Sequence, residues 1–536
     1  MKIKKYLLTV LSILLVFSLM FGCTKNPKGG MEQQKSESPS PTVQNDEKKA
    51  SDSGKASEKP IELSIHMHYW NRIVFNNDWP VFKKAAELTN VSLKGTASSA
   101  ATDSVQVFNI MLTSNEIPDI VHTMKENFVK YAQDGVFIPL DDLIDKHAPN
   151  LKAFLEKNPE VAKFSKGPDG KTYFIPFIPD GDVAKGWFIR KDWLDKLNLA
   201  VPKTADEFYN VLKQFADKDP NNNQKKDEAP YFNRESTNGV NDLLPLFGIT
   251  RLDQAKDGKY IFWLNTEQYK LAISELAKWY KEGLIDPEIY TRGSKARDIV
   301  FEQNIGGSTH DWFASTAGYQ DKYKDKIAGL NWVVMEPPAD ITGKQWEESS
   351  REKVKDQGWG ITLRNKYPIE TIKYFDFWFT EQGRMLANFG IEGDTFNIVN
   401  GKPVFTEKIL KNEKPPLEVL NSIGAQLEIG VKQDFRYEAQ IMNPSALEGV
   451  KLYMEKKFPI QPFPKISYTQ EEHDIIKTKG TDVFTFINEQ TQKWILGAEP
   501  INDAAFEKYV KTLESMGVNE LIKAKQQAYD RYANMK

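Results

Sequence analysis

The chain has 536 residues, of which 71 are Lys or Arg and 74 are Asp or Glu, a net charge of -3. So mild an acidic balance gives no support for binding a phosphate backbone, and no nucleic-acid partner is expected. A single cysteine excludes an internal disulfide framework, and the length exceeds what one hydrophobic core serves, so two lobes stable without cross-links are expected.

The first five residues, Met1-Lys2-Ile3-Lys4-Lys5, carry three lysines, and an apolar stretch runs from Tyr6 to Phe21. This is the charge and hydropathy pattern of a secretory signal. The stretch falls short of the ~20 residues that span a bilayer, so cleavage fits better than a retained helix. The run Leu19-Met20-Phe21-Gly22-Cys23 resembles the bacterial lipobox, in which a small residue precedes a cysteine that is diacylated and becomes the new N-terminus. Met20 and Phe21 depart from the strict pattern, and an ordinary signal with a chance cysteine is the competing reading. Residues 1–22 are expected to leave as the signal peptide, with Cys23 holding the protein to the extracellular face of the cytoplasmic membrane through lipid alone. Cleavage leaves 68 basic against 74 acidic side chains.

Residues 23–60 form the expected tether. From Thr24 to Pro60 there is no aromatic residue, and Met31 and Val43 are its only large apolar side chains, too few to fold. These 37 residues hold the folded part roughly 30 to 35 Å from the anchor on average.

Order is predicted from Ile61, where Ile61, Leu63, Ile65 and Met67 alternate with Glu62, Ser64, His66 and His68 as in a strand with one apolar face. Two histidines two residues apart are poor support for zinc without a third ligand. Short apolar strands are predicted at 172–178, 187–189 and 332–335. Between them lie amphipathic helices. Thr204-Ala-Asp-Glu207 reads as a capping box before the stripe Phe208, Val211, Leu212 and Phe215. A second helix is predicted to start at Asn265, carry Tyr269, Ile273, Leu276 and Tyr280 inward, and stop at Gly283; a third runs from Pro368 through Ile372, Phe375 and Phe379. Alternating strands and helices make the fold class α/β.

The strongest local motif is Asp219-Pro-Asn221-Asn-Asn223-Gln-Lys225-Lys-Asp227-Glu228. Oxygen-bearing side chains fall at every second position, so a loop wrapped round a hard cation turns them inward. Three carboxylates, two amide oxygens and the Lys225 carbonyl match the 6 to 8 oxygens Ca²⁺ takes. The run is a variant of the EF-hand, with Gln224 where the turn glycine stands and Pro230 where the bidentate glutamate stands. From spacing alone a solvated polar turn remains the alternative, and a fully coordinated ion leaves no open position for catalysis.

The stretch from Trp187 through Arg190, Trp193, Pro202, Thr204 and Glu207 to Phe208, running on into the Asp219 to Glu228 loop, is similar to the extracellular solute-binding proteins of ABC importers. Within them it resembles the large lipoproteins of Gram-positive bacteria and the alginate-binding proteins. The resemblance continues through Phe389-Gly390-Ile391-Glu392-Gly393-Asp394-Thr395-Phe396 and Ala528-Tyr529-Asp530-Arg531-Tyr532. It implies two α/β lobes of periplasmic-binding-protein type, with a hinge and an interlobe ligand cleft. The lobes are expected at 61–178 plus 333–400 and 179–332 plus 401–536, the chain crossing near Pro179, Asn331 to Pro338 and Asn400. It also implies a structural Ca²⁺ on Asp219, Asn221, Asn223, the Lys225 carbonyl, Asp227 and Glu228. The partners implied are an oligosaccharide and ABC permease subunits, and a monomer is expected.

Sugars present apolar C–H faces rimmed by hydroxyls, so their sites combine flat rings with amide, carboxylate and arginine partners. Ligands of α/β sheets lie beyond the carboxyl ends of strands. On that basis the candidate ligand residues are Trp70 and Asn71, where the first strand's alternation stops; Trp187 and Arg190; Trp312, after Gly306-Gly307-Ser308; Trp359, between Gly358 and Gly360; and Glu392 and Asp394 in a glycine-rich loop. For each ring core packing is the alternative, and for each charge an ordinary ion pair or loop cap. Arg297, Arg364, Arg384 and Arg436 are further candidates to pair with uronate carboxylates. Acidic ligands are suggested by the resemblance, while neutral xylan or mannan fragments fit the aromatic content equally.

No G-x-S-x-G, H-E-x-x-H or P-loop is present, and the protein is expected not to be an enzyme. A surface glycoside hydrolase or polysaccharide lyase, which needs two placed carboxylates, and a receptor for peptide or another solute are the competing functions.

Overall fold

The computed structural model describes residues 55–535 except 115, 236–238, 251–252, 349–350 and 461–462. The expected signal peptide, Cys23 and nearly all of the tether lie outside the described residues. Nine strands build two sheets: β1 (Ile61–His66), β2 (Val91–Gly95), β3 (Ile120–Met124), β4 (Ile175–Pro176), β5 (Lys185–Arg190), β6 (Ala229–Tyr231), β7 (Gly306–Trp312), β8 (Trp332–Met335) and β9 (Gln357–Ile361). The first sheet has the order β2-β1-β3-β9-β4, with β1 parallel to β2 and β3, and β9 antiparallel to β3 and β4. The second has the order β8-β5-β7-β6, with β5 antiparallel to both neighbours and β7 parallel to β6.

The sheets sit in separate cores, so the fold is two-lobed. One core gathers Leu63, Ile65, Val121, Phe174, Trp359, Phe375, Leu420 and Tyr437; the other side of the molecule has cores around Ile189, Phe208, Ile273 and Leu513, and around Phe188, Phe313, Trp332 and Tyr453. The first core's opening run of residues ends at Ile178, and the second lobe's core residues begin at Val183. The two later crossings differ from expectation. Trp332–Met335 pairs with β5 and so belongs to the second lobe, and the first core continues through Leu420 and Tyr437 rather than ending near Asn400. A hydrophobic segment cannot declare from sequence which of two sheets it will join.

The predicted helices appear with small shifts. Helix 205–217 buries Phe208, Val211, Leu212 and Phe215, and Thr204 accepts the Glu207 N–H, but Glu207 turns back to the Lys203 N–H, so the box is only half made. A complete one opens the 26-residue helix Gln470–Ile495, between Thr469 and Glu472. Helix 267–281 is capped by Thr266 rather than Asn265, and the chain turns away just after it at Gly283, whose φ is +75°. In β1, His66 is buried as well as Leu63 and Ile65, because helix 104–113 covers the expected polar face with Phe108 against His66. No described helix is long and apolar enough to cross a membrane.

Candidate functional site

The topology brings one edge of each sheet to the hinge. In the first lobe β3 ends at Met124 beside Gln357, the first residue of β9, and the Phe177 N–H donates to the Gln357 carbonyl just before the chain leaves for the second lobe. In the second lobe the chain enters β5 at Lys185, opposite Trp312, the last residue of β7, while the parallel β6 delivers Asn233 and Arg234 to the same edge. The hinge is bound by polar contacts: Lys353 with Asp182, Arg351 with Glu438, and the Phe435 N–H on Asp180 Oδ2 at 2.8 Å. Gly181 has a φ of +92°, and a Cβ there would press on Phe435 and Arg351.

On the first-lobe rim, His68–Tyr69 and Ile73–Val74 form a hairpin joined by the three residues Trp70, Asn71 and Arg72, the first two with φ of 56° and 55°. Left-handed residues in the turn match the twist of a hairpin, yet a bulky ring pays strain in that region. The turn is pinned by Ser104, whose Oγ accepts the Asn71 N–H at 3.0 Å and whose N–H donates to Asn71 Oδ1 at 3.0 Å. The Trp70 side is left 58% exposed. Behind it Tyr69 Oη accepts the Glu428 N–H at 3.2 Å, the Glu428 carboxylate accepts from the Gln357 amide, and burial pushes that carboxyl up.

On the second-lobe rim Trp312 is 44% exposed and Lys185 Nζ lies 5.9 Å from its ring. Lys185 pairs with Glu235 at 3.3 Å, and Arg234 Nε with Asp311 at 2.9 Å. Sequence reading missed Gln357, Glu428, Lys185, Arg234, Glu235 and Asp311. Strand ends were the one available signal, and most of these positions needed the register to become neighbours.

Several expected ligand residues sit elsewhere. Trp359 is 0% exposed and stacks on Phe375 at 4.5 Å between ring centres. Its flanking glycines do not open access: a Cβ at Gly358 would strike the Ile175 backbone, and one at Gly360 the Phe128 ring and Tyr173 carbonyl, so they let neighbours close over the strand. Gly306 and Gly307 likewise are tightly packed strand rather than a turn. Trp187 is buried against Phe208, Tyr231 and His310. Arg190 is buried over the Trp193 ring at 4.5 Å, bonded to Asp192 at 2.6 Å and Asn304 at 2.8 Å. These three side chains are packed inside the lobes and offer no surface to a sugar. Asp394 is held by Lys408 at 2.7 Å, and it and the exposed Glu392 lie on the loop before the hairpin 396–405.

The Asp219 to Glu228 loop curls on itself. Asp219 accepts the Asn223 and Gln224 N–H groups at 3.0 Å, Asn221 Oδ1 accepts Asn223 N–H at 3.0 Å, and Asn223 Oδ1 accepts Lys225 N–H at 2.8 Å. Asp219, Asn222 and Gln224 take left-handed φ. Glu228 is 8% exposed with a buried Oε1 that has no hydrogen-bond partner, and burial first, then the charges of Asp227 and Asp219, push its carboxyl up. An orphaned carboxylate oxygen beside two further carboxylates is what a bound hard cation relieves. Among the described residues no three His, Cys, Asp or Glu side chains already converge as a metal cluster; Asn223 Nδ2 is instead turned to Asp227 at 2.9 Å.

No family model matches the chain. It is similar to the alginate-binding protein AlgQ2, solved without calcium ion: 40% identical, covering 89% of this chain and 99% of that one, with a TM-score of 0.70. It is 28% identical over 478 residues to the fructooligosaccharide ABC transporter substrate-binding protein FusA of Streptococcus pneumoniae, covering 80% of this chain and 83% of FusA. FusA has been solved with kestose (24% identical, TM-score 0.66) and as an EF-hand mutant. The lipoprotein LipO of Bacillus subtilis is 26% identical over 436 residues, 78% of this chain and 82% of LipO. With the two-lobed architecture and these full-length likenesses together, the chain belongs to the extracellular solute-binding proteins of ABC importers, the family that includes the alginate-binding proteins.

Proposed function

We propose that the chain is the substrate-binding lipoprotein of an ABC transporter and captures an oligosaccharide between the two rims at the hinge. The observation that carries this is the pair of exposed indoles, Trp70 and Trp312, one at each sheet edge and each beside groups that donate and accept hydrogen bonds. Such a pair offers platforms for sugar C–H faces, and Asn71, Gln357, Glu428, Arg234 and Glu235 offer partners for hydroxyls. The sugars named for FusA and AlgQ2 support the ligand class, and both relatives are binding proteins. Ligand bridging the rims favours the closed arrangement by contacts available only when the lobes meet. Ca²⁺ in the Asp219 to Glu228 loop braces the second lobe without touching sugar, and Cys23 anchors the protein beside its permease.

Isothermal titration against a broad glycan panel is the test. At least one oligosaccharide is expected to bind, and Trp70→Ala and Trp312→Ala to weaken it tenfold or more each. A panel with no ligand, or affinities indifferent to both indoles, overturns the reading.

A further inference from the structure

Among the described residues, Lys185, Arg234 and Arg297 on the second-lobe rim each already have a carboxylate. Lys185 pairs with Glu235 at 3.3 Å. Arg234 Nε lies 2.9 Å from both oxygens of Asp311, and Arg297 Nη1 lies 3.3 Å from Asp311 Oδ2. Asp311 also accepts the Trp312 N–H at 2.7 Å and is only 5% exposed. Arg297 spends the same Nη1 on the hydroxyls of Ser315 and Thr316, at 2.8 and 2.7 Å.

A carboxylate clamped between two guanidiniums, in the residue just before an exposed indole, takes up the partners that the acid group of a uronate would seek, since carboxylate and guanidinium make the strongest charge-assisted pair available to such a sugar. Resting on the reading that oligosaccharide binds at this rim, we propose that Asp311 is an internal surrogate for a ligand carboxylate, making the site select uncharged sugars over uronates. A second carboxylate brought to the same arginines meets Asp311 as a like charge and is desolvated without an unpaired cation to receive it. Among the described residues of this cluster, the one surplus positive charge is on Arg297, whose side chain is 11% exposed and turned to hydroxyls. Neutral hydroxyls meet no such conflict: they accept from the outer N–H groups of Arg234 and donate to Glu235 while a C–H face lies on Trp312.

The experiment is titration of the wild type and of Asp311→Asn with neutral trisaccharides and uronate trimers of matched linkage. The wild type is expected to bind a neutral member at least tenfold tighter than its uronate counterpart. Asp311→Asn, which keeps an oxygen for the Trp312 N–H while uncovering both arginines, is expected to gain tenfold or more for uronates, and the gain to vanish in Asp311→Asn/Arg234→Gln. The wild-type comparison decides the matter by itself if the variant does not fold. A wild type that prefers uronates, or an Asp311→Asn protein with no gain, overturns the selection and leaves the oligosaccharide reading standing. Failure of both sugar classes to bind the wild type overturns both.

Discussion

Trp70 and Trp359 are the same residue type in opposite trades of stability against access. Trp70 occupies left-handed backbone at φ 56° and exposes most of its ring; Trp359 is fully enclosed and stacked on Phe375. Replacing Trp70 by glycine removes a ring that packs little and relieves backbone strain of about 1 kcal/mol or more. Trp70→Gly is therefore expected to melt at or above the wild-type temperature while losing at least tenfold in glycan affinity; a lowered melting temperature would show the indole to be structural. Trp359→Ala should do the reverse, costing about 3–5 kcal/mol of stability by cavity formation, with affinity of the protein that remains folded unchanged. Denaturant unfolding and titration on the same samples separate the two.

At the scale of elements, the loop from Asp219 to Glu228 feeds directly into β6, so its order bears on the second sheet. Chelation is expected to lower the thermal midpoint of the second lobe by several degrees, and Glu228→Gln to abolish the difference between calcium-loaded and chelated protein, with glycan binding retained by both. A midpoint indifferent to calcium, with no metal found by elemental analysis, rules the ion out. This loop could be singled out in the sequence as a candidate because all its oxygen-bearing side chains fall within ten consecutive residues. The helices were legible for the same reason, their stripes repeating within a few turns. The rim was not. Lys185 meets Trp312 and Gln357 meets Glu428 only through strand register and chain crossings that no local pattern encodes. Glycine was the other source of error: beside Trp359 it signals close approach of a neighbouring chain, which sequence cannot tell from an opening.

Over the whole molecule, the two lobes carry buried histidines of opposite sense. In the first lobe burial pushes His66 and His122 down to about 4, with the neighbouring His122 and His68 adding to the effect on His66. The unfolded chain takes up these protons near its ordinary value of ~6.5, so stability is lost as pH falls from there toward 4. In the second lobe burial alone would lower His310, but Glu347 and Asp242 outweigh it and hold the ring charged up to about 9. That contribution is complete below the unfolded value and disappears as pH rises through 9. Hydrogen exchange by mass spectrometry should find β1 and β3 loosening first in acid and β7 first in alkali. His310→Gln should remove the alkaline limb alone; lobes that soften together at both extremes would contradict this.

Both rims adjoin the hinge, Phe177 bonding to Gln357 on one side and Lys185 following Asp182 by three residues on the other. Groups beside a fulcrum travel least when the arms turn. On the proposed reading, recognition sits near the fulcrum, where a small closing movement is enough to complete the bridging contacts, while the far surfaces of the lobes sweep the longest arcs. On the same reading, a permease that docks on those outer surfaces is presented with an amplified displacement.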